Sequence, residues 1–232
     1  LLKQTYSQTR GRDGYVQVDI PPHSLLLQGQ SAIAEAQILW HSVGWRNLML
    51  RIPATQIMLP VIAQLIRDRI NVNATFVFSQ TTYDQVGDAY LRGLESLIQQ
   101  GESVSEIAGF TSFSINRLDA VIYPPLAGSL ETTSFGIAQA NILYQQYRNI
   151  CQSGRWRALC KKKAKPLGIL WHCTNLHPQV PWGYIQFMAF PKTAIVLSPL
   201  TLETYMEVSL PPTSLIENLK GAERILTSLP QT

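Results

Sequence analysis

Charge is scarce in this chain: only 15% of its 232 residues are Asp, Glu, Lys or Arg, against 46% apolar. That leaves enough apolar material for one large domain with a full core. Cysteine is scarcer still. Cys151, Cys160 and Cys173 form no CxxC pair and, being three, cannot all be bridged. A disulfide framework is thereby excluded, and a reducing, cytoplasmic compartment fits. Long apolar runs are also missing: the best candidate is broken by Arg51, Pro53, Gln56 and Pro60, short of the ~18 residues a membrane span needs. No signal peptide is visible, and no membrane partner is expected. The chain starts at Leu1 without a methionine and reads as a fragment, a processed chain or a trimmed piece. There is no P-loop and no GxGxxG, so nucleotide binding has no support. Nor is there a low-complexity linker or a short repeat.

Net charge is +4, with one local basic run at Lys161-Lys162-Lys163-Ala164-Lys165. No aromatic platform interleaves with it, so it reads as a solvated loop or helix end and not as a nucleic-acid surface. Lys3, Lys161 to Lys163, Lys165 and Lys220 all read as surface positions.

Short β-rich runs alternate with longer amphipathic ones. Strands are expected over 15–20, 48–52, 72–78, 107–115, 167–173 and 194–197, and helices over 31–43, 56–68, 81–100 and 134–152. The last two strands are each followed by helical sequence. In the 81–100 helix Tyr83, Val86, Tyr90, Leu94, Leu97 and Ile98 form a stripe at helical spacing. In the 134–152 helix Ile137, Ala140, Tyr144, Tyr147 and Cys151 share one face. The Pro124-Pro125 and Pro178 to Pro181 segments read as loops. Repeated β then α implies parallel strands covered by helices. Six such units are too few for a closed eight-stranded barrel, and patterning by itself leaves an open parallel sheet as an alternative.

The stretch Leu48-Met49-Leu50-Arg51-Ile52-Pro53-Ala54-Thr55 places one cation in an apolar run that breaks at a proline before a helix. Barrel strands end this way when their last side chains face a catalytic mouth. Further motifs follow in order. They are Thr9-Arg10-Gly11-Arg12-Asp13-Gly14-Tyr15-Val16, Ile70-Asn71-Val72-Asn73-Ala74-Thr75-Phe76-Val77-Phe78-Ser79, and Ala89-Tyr90-Leu91-Arg92-Gly93-Leu94-Glu95. Beyond these come Ser112-Phe113-Ser114-Ile115-Asn116-Arg117-Leu118-Asp119, Ala138-Gln139-Ala140-Asn141 and Leu170-Trp171-His172-Cys173-Thr174.

In this order and spacing the chain resembles the transaldolase family. The resemblance implies a transaldolase-like (β/α) TIM barrel, truncated or open, with about six βα units, as a single domain over 1–232. By this alignment the family's first two strands have no counterpart, and with them go an acid/base aspartate and an Asn-Pro turn. Either preceding sequence was trimmed, or a partner covers the exposed sheet edge. The family implies carbohydrate chemistry of the pentose phosphate pathway, namely dihydroxyacetone transfer between sugar phosphates.

The family's strand reads Lys-Ile-Pro-Ala-Thr, and its lysine forms a Schiff base with the sugar. Here the position is Arg51. A neutral amine can attack a ketone; a guanidinium stays protonated with delocalised lone pairs and cannot. Two readings of Arg51 stand: a planar cation holding a carboxylate or phosphate, or a salt bridge to Asp19 filling a dead site. Asp19 stands where the family has a glutamate, and reads as a general base or as the counter-ion of Arg51. Thr75 matches the family's water-holding threonine and Asn73 its substrate-binding asparagine; each also reads as satisfying strand-end backbone groups.

Ser112 and Arg117 match pocket and phosphate-binding residues, with pairing to Asp119 as the alternative for Arg117. Where the family has Ser-Thr-Gly-Thr-Lys, this chain has Cys173-Thr174-Asn175-Leu176-His177, so Cys173 and Asn175 are the substrate-binding candidates there. A metal on His172, Cys173 and His177 is disfavoured, because alternation sends His172 and Cys173 to opposite faces. A Cys173/His177 nucleophile pair has no identifiable orienting group. No cofactor is expected, the expected partner is a small anionic or carbonyl substrate, and nothing specifies an oligomeric state. Three readings of function remain: a diverged barrel enzyme without Schiff-base chemistry, a non-catalytic binding or scaffold module, and residual transaldolase activity.

Overall fold

The computed structural model describes residues 2–21, 29–115, 117–118, 133–173, 185 and 188–207. Asn175, His177, Asn116 and Asp119 lie outside them, as do the two proline-rich segments. Strands β1 (Val16–Asp19), β2 (Leu48–Pro53), β3 (Val72–Thr75), β4 (Gly109–Ser114), β5 (Gly168–His172) and β6 (Ala194–Val196) follow one another in sheet order β1-β2-β3-β4-β5-β6. The recorded pairings are parallel. Helices are α1 (Leu2–Gln8), α2 (Gln30–Val43), α3 (Leu59–Arg67), α4 (Gln80–Gln99), α5 (Thr133–Gln152), α6 (Gly154–Lys161) and α7 (Pro199–Glu207). This is the open, truncated form of the (β/α) barrel architecture, with about six βα units.

The residues fall into two compact units, Leu1–Val77 with Thr81–Thr111 and Ile150–Leu167, and Phe78–Gln80 with Ser112–Asn149 and Gly168–Thr232. In the first, Leu48, Leu50 and Ile52 are wholly buried and Val72 and Ala74 nearly so, as the inner strands of a helix-covered parallel sheet require. α3 buries Leu59, Ile62, Leu65 and Ile66, a three-and-four spacing that makes one apolar stripe. It packs on α2 and β3. α4 buries Tyr83, Val86, Tyr90, Leu94 and Leu97. In the turn before β1, Gly14 has φ +81°, and a Cβ there would run into the Leu2 carbonyl and the Tyr6 amide. Only glycine fits.

Asn71 ties this unit together. It is 3% exposed; its amide donates to the Leu48 carbonyl at 2.9 Å, and its oxygen accepts from the Ala108 amide at 2.9 Å. One side chain, just before β3, thus anchors the start of β2 and the residue before β4.

The second unit is built on aromatics. Phe113 and Trp171 meet edge to face at 5.9 Å, Trp171 lies 5.5 Å from Phe190, and Phe190 stacks on Tyr144 at 4.6 Å. The buried Trp171 indole donates to the Thr193 hydroxyl at 2.9 Å, the partner a buried N–H needs. β5 and β6 pair with Leu170 beside Ala194 and His172 beside Val196.

Boundaries differ from expectation where the backbone is constrained. β3 stops at Thr75 and not Phe78, because Phe76 adopts φ +59°, which ends extended pairing. α3 starts at Leu59 because Pro60, lacking an N–H, belongs in a first turn. α1 and α6 were not foreseen. α6 is capped by Ser153, whose hydroxyl accepts from the Trp156 amide, a cap hidden inside a polar run. The helix expected after β5 falls outside the described residues.

Candidate functional site

Strand alternation sets the site in the first unit. Gln17 and Asp19 of β1, Arg51 and Pro53 of β2, and Asn73 and Thr75 of β3 share one sheet face. The register puts Asp19 beside Arg51, Arg51 beside Asn73, and Pro53 beside Thr75. The Asn73 amide reaches across β2 to donate to Gln17 Oε1 at 2.7 Å.

Within this row Arg51 is the exceptional group. Its Nη1 donates to Asp19 Oδ2 at 3.3 Å, a single long contact. The Asp19 side chain is 71% exposed and that of Arg51 33%. Arg51 Nε is buried and has no hydrogen-bond partner among the described residues. An unsatisfied buried N–H costs about 1–3 kcal/mol, so the guanidinium is held against a penalty that its one carboxylate contact does not remove. Asn73 is wholly buried and Thr75 8% exposed. The Thr75 carbonyl accepts from the Ala54 amide at 2.8 Å.

In the second unit, Ser112 is 5% exposed, and its hydroxyl lies 3.0 Å from His172 Nε2. The sequence reading did not pair these two; Ser112 and the last residue of β5 are the signal that could have done so. Arg117 is exposed. Cys173 is wholly buried, and burial pushes its thiol up to about 12, so it packs as a small apolar group and not as a nucleophile. Among the described residues no group of three His, Cys, Asp or Glu could hold a metal ion. Likewise no described helix is long and apolar enough to cross a membrane.

Lys165 corrects the expectation of a surface lysine. It is half-buried, and its Nζ donates to the Gly11 carbonyl at 2.9 Å and to the Tyr15 hydroxyl at 3.3 Å. Burial lowers its pKa, partly opposed by Glu106. Proximity in a basic run hid this, since Lys161, Lys162 and Lys163 are exposed.

Comparison with known proteins decides the ancestry. The family model described as Transaldolase/Fructose-6-phosphate aldolase matches residues 2–231. This chain belongs to the transaldolase family. It is 34% identical over 219 residues to the transaldolase of Trichodesmium erythraeum, covering 88% of this chain and 57% of that protein. Similarity to the Frankia alni transaldolase is 33% over 216 residues, covering 89% and 58%. For the transaldolase of a Parafrankia species it is 32% over 239 residues, covering 99% and 64%. The chain thus spans little more than half the length of these family members. Asp19, Arg51 and Thr75 lie in the carboxyl halves of β1, β2 and β3, with Asn73 two residues before Thr75, and the carboxyl end of the strands is where barrel chemistry is done.

Proposed function

We propose that this transaldolase-family chain holds a small anionic or carbonyl substrate at the carboxyl end of β1 to β3 and acts on it without covalent lysine chemistry. In this reading Arg51 stands where the family keeps its Schiff-base lysine, and the family's first two strands have no counterpart. The observation that carries it is the Arg51 guanidinium, in register with Asn73, with Nε buried and, among the described residues, unpartnered, and one 3.3 Å contact to an exposed carboxylate. A planar fork of this kind suits a carboxylate or phosphate, which can accept two N–H bonds at once. An arriving anion displaces Asp19 from Arg51. The freed carboxylate then serves as general base toward a substrate proton, with Thr75 positioning the acceptor or water and Asn73 the substrate oxygen. A soluble cytoplasmic setting accords with this reading.

A second reading has an observation of its own. The Asp19–Arg51 contact lets two strand-end charges neutralise each other, which is what a non-catalytic binding module would retain. A screen of small carboxylates and phosphate esters by calorimetry, on the native chain and Arg51→Ala, separates the two. A ligand bound by the native chain and lost in the variant supports the working site. A native chain that binds none of them supports a non-catalytic scaffold.

A further inference from the structure

The amino ends of the first unit's strands carry a concave site, independent of Arg51. A cavity of about 590 Å³ opens there, within the range that takes a small molecule. Its walls come from α1 and the turn after it, from the turn before β2, from the loop before β4, and from the segment after α6. Four cations line it, Lys3, Arg10, Arg46 and Lys165, against one carboxylate, Glu106; four less one leaves a formal excess of +3. Among the described residues none of the four makes an ion pair. Glu106 acts on Lys165 and Tyr6 by Coulomb attraction and repulsion, without approaching any cation within 4 Å among the described residues.

Gathering like charges in a concavity is unfavourable unless a counter-ion is supplied, because low-dielectric walls focus the field. Elsewhere in this unit the balance is met internally: Arg155 binds Glu95 through two bonds of 2.8 Å and Asp88 at 2.7 Å. In the cavity it is not. Lys165 is moreover fixed there, with its amine held by the Gly11 carbonyl and the Tyr15 hydroxyl. A Cβ on Gly11 would come within 2.8 Å of that amine, so the glycine leaves the room in which it sits. Trp45 borders the same space, 56% exposed, a large ring left in water where burial is the norm.

We propose that this cavity binds a small molecule carrying two or more phosphate charges. Arg10 and Arg46 supply bidentate forks, Lys3 and Lys165 supply point charges, and Trp45 offers a face to any ring the ligand carries. The binding residues share nothing with the Arg51 row.

The test is titration with inorganic pyrophosphate and, separately, ADP at fixed ionic strength, read by calorimetry and tryptophan fluorescence. The native chain, Arg10→Gln/Arg46→Gln and Arg51→Met are compared. Both replaced arginines are exposed, so the double variant is expected to fold, as circular dichroism checks. Saturable binding weakened at least tenfold in the double variant and retained in Arg51→Met supports the site. ADP binding tighter than pyrophosphate places the ring on Trp45, and equal affinity places phosphate recognition alone; either supports the assignment. No saturable binding, equal binding in the double variant, or loss in Arg51→Met overturns it. The last result would assign the anion to the strand-end row and leave that reading standing.

Discussion

Replacing Arg51 by methionine should raise stability, not lower it. Two contributions are removed. The contact to Asp19 is one 3.3 Å N–O pair whose acidic partner is 71% exposed, and pairs of that kind contribute about 0–1 kcal/mol. The buried Nε, without a partner among the described residues, carries a penalty of about 1–3 kcal/mol. Methionine keeps an unbranched apolar stem in the strand and adds no buried donor. Asp19, left behind, is already hydrated, so the large cost of stranding a buried charge does not arise. The balance is a gain of about 1 kcal/mol. Urea unfolding followed by tryptophan fluorescence measures it as a rise in midpoint at unchanged slope. Asp19→Asn should move the midpoint by less than about 0.5 kcal/mol equivalent, as a surface change does. A loss of more than about 2 kcal/mol in Arg51→Met, matched by Asp19→Asn, would refute the reasoning and make the pair a structural strut. A gain would mark Arg51 as a group kept at a cost to stability, the usual mark of a functional position.

Asn71→Ala should cost about 2–4 kcal/mol, because it strands the Leu48 carbonyl and the Ala108 amide in a buried setting. Thermal unfolding measures it, and Asn71→Asp should recover only the bond to Ala108. Cys160 is exposed, whereas Cys173 is wholly buried with its thiol raised to about 12. Iodoacetamide at pH 8 should therefore label Cys160 first and Cys173 only on unfolding, as peptide mass spectrometry would show. With its folded value above the ordinary 9.0, this thiol contributes stability in full below 9, and that contribution is lost as pH rises toward 12. Cys173→Ala should flatten that part of the alkaline stability curve.

The element order was legible because the period of the apolar residues changed cleanly from strand to helix. Tyr83, Val86, Tyr90, Leu94 and Leu97 are buried as their spacing implied, and all six expected strands form. What the pattern could not carry was backbone geometry. The left-handed turn at Phe76 cut β3 short after Thr75, although Phe76-Val77-Phe78 has every compositional mark of a strand. α1 was missed because it buries no residue of its own, so it has no apolar stripe to read. The neighbourhood of Arg51, Asp19 and Asn73 followed from alternation and register. The unpartnered Nε did not, since it depends on atomic positions across the sheet. Asn71 and Asn73 show the limit most plainly: one type of residue, two positions apart, one just before β3 and one within it, and the first bridges backbones while the second pairs with Gln17. The half-buried Lys165 was hidden for the same reason, its setting being created by Gly11 and Tyr15 about 150 residues away in sequence.

The most direct measurement is borohydride trapping with a keto-sugar phosphate, read by intact mass and peptide mapping on the native chain and Arg51→Lys. The account predicts an unmodified native chain and a reduced adduct at position 51 in the variant. A native chain that gains the sugar on any lysine, Lys165 included, would contradict it.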